Sequence, residues 1–250
     1  MRYLVISDIH SNWEALEAVL AEAGGLYDRI VCCGDLAGYG PDPNRVIDWA
    51  RANLSAVIRG NHDRVCCGLD DLESFNPVAQ AASRWTMEQL TPENLAWLRA
   101  LEQGPLPVDG FRLIHGSPLD EDEYVMSLMD ARNVFGYLEG QVGFFGHTHM
   151  QGGFSYVDRR YGYAAQLNSF DRAQRNRIVV RLDPEGLYLI NPGSVGQPRD
   201  GDARAGWAIY DSDAQEVRLH RTPYDWNTTC DKVIAAGLPE VLGTRLTQGR

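Results

Sequence analysis

The first 60 residues alternate two kinds of pattern, and this alternation constrains the fold more than any other feature. Apolar runs at 3–7, 29–33 and 55–58 are separated by helical patterns at 12–23 and 43–53. That order is βαβαβ, a parallel sheet with crossover helices. The first helix carries Trp13, Leu16, Leu20 and Ala23 on one face. Ser11-x-x-Glu14 has the form of a capping box, which starts this helix directly after His10.

Residues 64–104 read as mostly helical, with Thr91-Pro92-Glu93 opening a helix that carries Leu95, Leu98 and Leu101 and stops at Gly104-Pro105. This segment is expected to form a helical cap inserted beside the sheet. Short buried strands follow at 111–115 and 142–146, separated by a helix around 131–138. From residue 154 the pattern turns to strands, at 154–157, 178–182, 187–190, 207–210 and 216–220, before helical character returns at 228–246. With no internal repeat and no linker, residues 1–250 read as one α/β domain of two packed sheets.

Composition narrows the function classes. Acidic residues number 34 against 23 basic ones, a formal net charge of -11, so the chain is not expected to coat nucleic acid. No stretch approaches the roughly 18 apolar residues of a membrane span, and the N-terminus lacks a signal-peptide pattern, so a cytoplasmic protein is expected. Residues 158–177 are locally basic, with Arg159, Arg160, Arg172, Arg175 and Arg177 against Asp158 and Asp171, as in a solvated hairpin. The cysteines form two vicinal pairs, Cys32-Cys33 and Cys66-Cys67, plus Cys230, without Cys-x-x-Cys spacing. They read as reduced thiols. Trp85, Trp97 and Trp226 suit core packing or the face of a homo-oligomer.

Five of the six histidines fall in four short clusters where apolar runs end; only His220 stands apart. The clusters are Asp8-x-His10, Gly60-Asn61-His62-Asp63, His115-Gly116 and Gly146-His147-Thr148-His149, and Gly34-Asp35 closes another run in the same way. Carboxyl ends of strands in an open α/β sheet face one crevice, so these groups can converge. Mixed imidazole and carboxylate donors suit manganese above all, with iron, cobalt, nickel and zinc also suited. The candidates Asp8, His10, Asp35, Asn61, His115, His147 and His149 exceed the needs of one ion. A carboxylate shared at Asp35 would support two ions about 3.5–4 Å apart. Two such ions bring about four positive charges against two carboxylates and a hydroxide, a net positive site that attracts phosphate.

Taken in order, these motifs resemble the calcineurin-like metallophosphoesterase superfamily. Asn191-Pro192-Gly193-Ser194 with Gln197-Pro198-Arg199 resembles its small bacterial and archaeal phosphodiesterase-like members. The resemblance implies a four-layer α/β/β/α sandwich of two mixed sheets flanked by helices. It implies one ion on Asp8, His10, Asp35 and His149, another on Asp35, Asn61, His115 and His147, and a bridging hydroxide as nucleophile. His62 would then be the unligated catalytic group that protonates the leaving alkoxide, contacting the phosphate together with Asn61. Asp63 would orient His62 or a ligand imidazole. Thr148, Asn191 and Ser194 would brace the loops beneath, and Tyr39 and Arg199 would contact a small phosphorylated substrate or nucleotide.

One departure separates branches of the family. Serine/threonine protein phosphatases and dinucleoside-polyphosphate hydrolases resemble one another in an arginine-glycine pair after the Gly-Asp, whereas here the segment is Gly34-Asp35-Leu36-Ala37-Gly38-Tyr39-Gly40. That favours a phosphodiesterase, with Arg64 or Arg199 as replacement cation. A protein-binding scaffold of the same fold, as in the retromer subunit that resembles this superfamily, would be expected to lack some of these residues.

Overall fold

The computed structural model describes residues 1–165 and 177–250. In chain order its first elements are β1 (Arg2–Ile6), α1 (Trp13–Ala23), β2 (Arg29–Cys32), α2 (Pro43–Asn53), β3 (Ala56–Val57) and α3 (Asn61–Cys66). There follow α4 (Pro77–Gln89), α5 (Pro92–Arg99), β4 (Leu106–Val108), β5 (Phe111–Ile114), α6 (Leu128–Val134) and β6 (Val142–Phe145). The remainder comprises β7 (Gly152–Val157), β8 (Arg160–Ala165), β9 (Arg177–Arg181), β10 (Leu187–Asn191), β11 (Ala205–Asp211), β12 (Glu216–Thr222), α7 (Trp226–Ala235) and α8 (Val241–Thr244).

Two mixed six-stranded sheets result, ordered β3-β2-β1-β11-β12-β9 and β4-β5-β6-β10-β7-β8. β1, β2 and β3 run parallel in the first sheet, and β5, β6 and β10 run parallel in the second. The strands are apolar on both faces, and the packing explains why. Tyr3, Val5, Val31 and Ile58 face Phe111, Phe144, Tyr188 and Ile190 between the sheets, with the Phe111 ring 5.0 Å from Tyr3. On the outer face of the first sheet Leu4 and Ile6 pack with Leu16, Val19 and Ile47 of α1 and α2 and Leu98 of α5. On the outer face of the second, Ile114, Phe145 and Leu189 meet Ala131 and Val134 of α6. Each fully buried aliphatic side chain of this kind contributes about 1.5–3 kcal/mol. The layers are therefore α/β/β/α, as expected.

Three local expectations change. Asn12, not Ser11, caps α1, accepting from the Ala15 N–H at 3.2 Å. The chain reverses at Ser11, whose φ is 54° and whose N–H goes to the Leu36 carbonyl, while Glu14 pairs with Lys232 at 2.5 Å. The edge strands β4 and β8 were not apparent in the sequence, since an edge strand can carry a proline such as Pro107 or expose residues such as Tyr161 and Tyr163. The start of the 158–177 segment is a hairpin turn at Asp158 and Arg159 between β7 and β8, and Asp171, Arg172 and Arg175 lie outside the described residues. Finally, the last helical stretch breaks at Gly237-Leu238-Pro239 into α7, α8 and a 3-10 turn at Arg245–Gln248.

The 64–104 segment is helical as read, with α4 lying near α2 and α3 and α5 packed on the first-sheet side. All five cysteines are free. His220 stacks on Trp207, ring centroids 4.1 Å apart, which accounts for the isolated histidine. Trp85 and Trp97 pack partly buried against hydrophobic clusters, while Trp226 is exposed. Among the described residues no helix is long and apolar enough to cross a membrane.

Candidate metal centre

The loops after β1, β2, β3, β5 and β6 meet at one end of the sandwich, because each follows the carboxyl end of a strand parallel to its neighbour. They are laced together by backbone hydrogen bonds. Asp8 N–H donates to the Gly34 carbonyl, His10 N–H to that of Asp35, and Gly146 N–H to that of His115, at 2.8–3.0 Å. The chain bends sharply at these points. Asp8, His10, Asp35, His147 and His149 all adopt left-handed backbone conformations, with φ between 47° and 64°, a region that non-glycine residues enter only when surrounding structure holds them there. Gly60 permits a close approach, since a Cβ there would collide with the Asp35 carboxylate.

Two buried groups of donors result, one of Asp8, His10, Asp35 and His149, the other of Asp35, His115 and His147. Asp35 belongs to both, as expected of a shared carboxylate. Asn61, the first residue of α3, sets Oδ1 3.1 Å from Nε2 of His115 and so joins the second group.

Each donor is oriented from behind. Asp35 Oδ1 accepts from the His62 N–H and Asp8 Oδ1 from the His147 N–H, at 2.9 and 3.1 Å. The other oxygen of each carboxylate, Oδ2, is buried without a hydrogen-bond partner. Nδ1 of His10, His115 and His149 donates to the carbonyls of Ala37, Cys33 and Gln197, at 3.0, 2.9 and 2.6 Å. This fixes the tautomer and turns each Nε2 inward. His147 is reversed: its Nε2 lies 3.2 Å from the Asp122 carbonyl, leaving Nδ1 as the available nitrogen.

Electrostatics selects the protonation states. Burial pushes His10 down to about 4 and His147 to about 3, and holds His149 and His62 well below the usual imidazole range. Burial raises Asp8 to about 7. Burial also works against the charge on Asp35, yet His115 holds that carboxyl well below its ordinary value. Asp35 in turn raises His115 to about 10 against the effect of burial.

These atoms fit a pair of cations. Nε2 of His10 and Nε2 of His149 stand 3.0 Å apart with both Nδ1 protons committed to carbonyls, so two lone pairs face each other. Only a cation or a proton between them relieves that contact, and burial disfavours the proton. Oδ2 of Asp8 is buried without a hydrogen-bond partner, and Oδ2 of Asp35 has no hydrogen bond but faces Nε2 of both His10 and His115 at 3.5 Å, so a cation would suit both oxygens.

Around this core lie the remaining predicted residues. His62 is buried, with its ring centroid 4.9 Å from that of His10 and 4.4 Å from that of Tyr39, and its Nδ1 has no partner. Asp63, expected to orient an imidazole, instead accepts from the Leu36, Ala37 and Gly60 N–H groups at 3.2, 2.9 and 3.0 Å. It ties the Gly-Asp loop to α3. Arg64 is turned away toward Asp70, Glu121 and Asp122, so it is not a spare cation. Tyr39 is buried between His10 and His62 with Arg199 on its hydroxyl at 3.3 Å, a wall of the site without an open face for stacking. The expected braces are present: Asn191 Nδ2 donates to the Gly146 carbonyl and Thr148 Oγ1, and Ser194 Oγ donates to the Asp8 carbonyl.

Three neighbours carried no sequence signal. Phe75 covers His62 with ring centroids 4.5 Å apart, Tyr124 lies 4.1 Å from His147, and Arg245 reaches Tyr39 from the C-terminal turn. Beside Thr148 and Asn191 opens a cavity of about 210 Å³, lined in part by Met126, Met150, Phe154 and Tyr163.

The description "Calcineurin-like phosphoesterase superfamily domain" matches residues 1–215. An uncharacterized protein of Methanocaldococcus jannaschii is 35% identical over 254 residues, covering 98% of this chain and 97% of its own length. The crystal structure of a metallophosphoesterase from Sphaerobacter thermophilus superposes with a TM-score of 0.85 at 37% identity, covering 100% of this chain and 99% of that one. A hypothetical protein from Pyrococcus horikoshii OT3 shares the fold, with a TM-score of 0.77 at 19% identity over 100% of this chain and 98% of its own.

Proposed function

The chain belongs to the calcineurin-like phosphoesterase superfamily, and from that premise we propose that it is a dinuclear-metal phosphodiesterase acting on a small phosphorylated molecule or nucleotide. The observation that carries the metal dependence is the pair of Nε2 atoms of His10 and His149 facing each other at 3.0 Å beside the Oδ2 atoms of Asp8 and Asp35, which accept no hydrogen bond. Asp8, His10, Asp35 and His149 would hold one ion, and Asp35, Asn61, His115 and His147 the other. Manganese is the metal we assign. When bound, the ions supply Lewis-acid polarisation of the phosphoryl group and a source of hydroxide near neutral pH.

The protein's own part falls to His62 and the rigid loops. His62 is attached to Asp35 through its backbone N–H and leaves Nδ1 without a partner among the described residues. Burial holds its imidazole neutral. An anionic phosphoryl group beside it would raise its proton affinity, so that the imidazole takes up a proton from solvent as the substrate binds and can then give it to the leaving oxygen, a role worth about 10²–10⁴-fold. Asp63 acts through the loop it ties down.

Two features support a diester over a protein phosphatase. The Gly34–Gly40 loop has no arginine at the position where protein phosphatases carry one, and Arg64 is consumed by three carboxylates. The cavity next to Thr148, lined by Met126, Met150 and Phe154 together with Gln151 and Asp200, offers a second ester substituent mixed apolar and polar surroundings beside the loop that carries His147 and His149.

The test is to strip the protein with chelator, restore manganese, and compare bis-p-nitrophenyl phosphate with p-nitrophenyl phosphate. Manganese-dependent turnover that favours the diester is expected. Monoester preference would redirect the assignment to a phosphatase, and two bound ions without turnover of either would favour the scaffold.

A further inference from the structure

His147 differs from the other imidazoles of the metal centre in what stands behind it. His10, His115 and His149 are held through Nδ1 by the carbonyls of Ala37, Cys33 and Gln197, whereas His147 is held through Nε2 by that of Asp122, at 3.2 Å. The first three carbonyls sit on well-anchored backbone. Cys33 directly follows β2, Asp63 accepts from the N–H of Ala37, and Ser194 Oγ accepts from the N–H of Gln197 at 2.7 Å. Asp122 instead lies on an irregular segment between β5 and α6. Its backbone bonds include tight turns, the Ser117 and Glu123 N–H groups both donating to the Asp120 carbonyl at 2.8 and 3.3 Å. The segment folds back over Gly116, where a Cβ would lie 2.6 Å from the Glu121 carbonyl oxygen, and it lays the Tyr124 ring on His147.

Arg64 fastens this segment to the helix that carries Asn61. Its Nη1 donates to Glu121 Oε1 and its Nη2 to Asp122 Oδ2 at 2.7 Å. The Glu121 side chain is 3% exposed and that of Arg64 15%, so water weakens the first of these bonds little. Arg64 stands one helical turn after Asn61 on α3, and its own N–H donates to the Gly60 carbonyl at 3.0 Å. Two donors of the second group, Asn61 and His147, are thus linked through one guanidinium. The imidazoles of the first group, His10 and His149, take their carbonyls from other loops.

We propose that Arg64 is a positioning residue for the second ion: by binding the Glu121 and Asp122 side chains it holds the Asp122 carbonyl on Nε2 of His147, which keeps Nδ1 of that imidazole toward Asp35 and His115. The proposal rests on the two-metal reading and adds to it a residue outside the donor set that decides whether the second position fills.

The test is a calorimetric manganese titration of the metal-free chain, with electron paramagnetic resonance separating a coupled manganese pair from a single ion. Arg64→Gln is expected to keep one ion at unchanged affinity and to bind the other about 10–100-fold more weakly, with loss of the coupled signal. Glu121 keeps Arg59 at 3.3 Å in that variant, so no buried carboxylate is left unpaired. Arg64→Lys, which retains the charge without the fork, should recover part of the loss. Asp122→Asn leaves the backbone carbonyl and the Arg64–Glu121 pair in place and should lose less; it carries the same comparison should Arg64→Gln not fold. His115→Ala removes a donor of the second group alone, and adding Arg64→Gln to it should leave the affinity of the remaining ion unchanged. An arginine that merely supports the fold would weaken both ions alike. Equal loss at both positions, no loss at either, or a further loss in the His115→Ala background overturns the proposal and leaves the two-metal reading intact. A wild-type chain that binds fewer than two ions overturns both.

Discussion

Gly38 and His62 exclude any side chain between them. A Cβ at Gly38 would lie 2.7 Å from Nδ1 of His62, and the Gly38 backbone is itself left-handed, with φ of 84°. Gly38→Ala is therefore expected to displace the imidazole without touching a metal ligand. Turnover of the diester should fall about 10²-fold, while metal analysis still finds two ions per chain. Unchanged turnover would remove His62 from the reaction.

Asp35→Ala and His62→Ala should separate two roles. Asp35 belongs to both donor groups, so its loss is expected to abolish metal retention and activity together. His62 contributes no donor to either group, and its alanine variant should keep the metal and lose turnover by about 10²–10⁴-fold. An empty His62→Ala protein would make that imidazole a ligand.

Metal uptake should depend on pH through Asp8. Burial raises its value from 3.8 to about 7. Its stabilising contribution to the metal-free fold is thus complete below about 4 and is lost as the pH rises through about 7. A cation reverses that loss by compensating the carboxylate. The metal-induced rise in Tm is expected to be larger at about pH 8 than at about pH 5, with proton release on binding, from Asp8 and His115 at about pH 5 and chiefly from His115 at about pH 8, seen by calorimetry in buffers of differing ionisation enthalpy. Equal rises at both values would count against Asp8 as a ligand.

Asp63 holds three buried N–H groups, those of Leu36, Ala37 and Gly60. Asp63→Ala would leave all three unsatisfied and should destabilise the protein by about 3 kcal/mol or more, read from denaturant unfolding of the metal-free chain. Asp63→Asn keeps one acceptor oxygen and is expected to lose less. If alanine and asparagine behave alike, the loop is held by something else.

What the sequence disclosed about this molecule follows from where its information is local. Strand-end donors such as Asp8, Asp35 and His147 stand directly after apolar runs, the last two beside glycines, so their convergence follows from the parallel order of the strands. The helix start does not. Ser11-x-x-Glu14 satisfies the capping pattern, but the Ser11 backbone is turned by a hydrogen bond to Leu36, a residue on the next strand's loop, and Asn12 takes its place. Edge strands β4 and β8 lack the two buried faces that made β1 and β6 obvious. Phe75, Tyr124 and Arg245 reach the site only through packing between segments distant in the chain, and no short-range pattern encodes that. Adjacency of Asp63 to His62 in the sequence does not give contact between their side chains on a helix, and the carboxylate instead accepts from the Leu36, Ala37 and Gly60 N–H groups.

The left-handed turns at Asp8, His10, Asp35, His147 and His149 also restrict how a lineage of such chains can change. Aspartate, histidine, asparagine and glycine are the residues that tolerate this backbone region best, so the conformation and the ligand chemistry admit nearly the same short alphabet. Branched or bulky replacements would disturb the loop as well as the donor and would be removed as misfolded. Exchange to asparagine keeps the turn and weakens only the chemistry. A descendant that abandons catalysis but keeps the fold should therefore carry asparagines at these positions, and the backbone itself marks out that path.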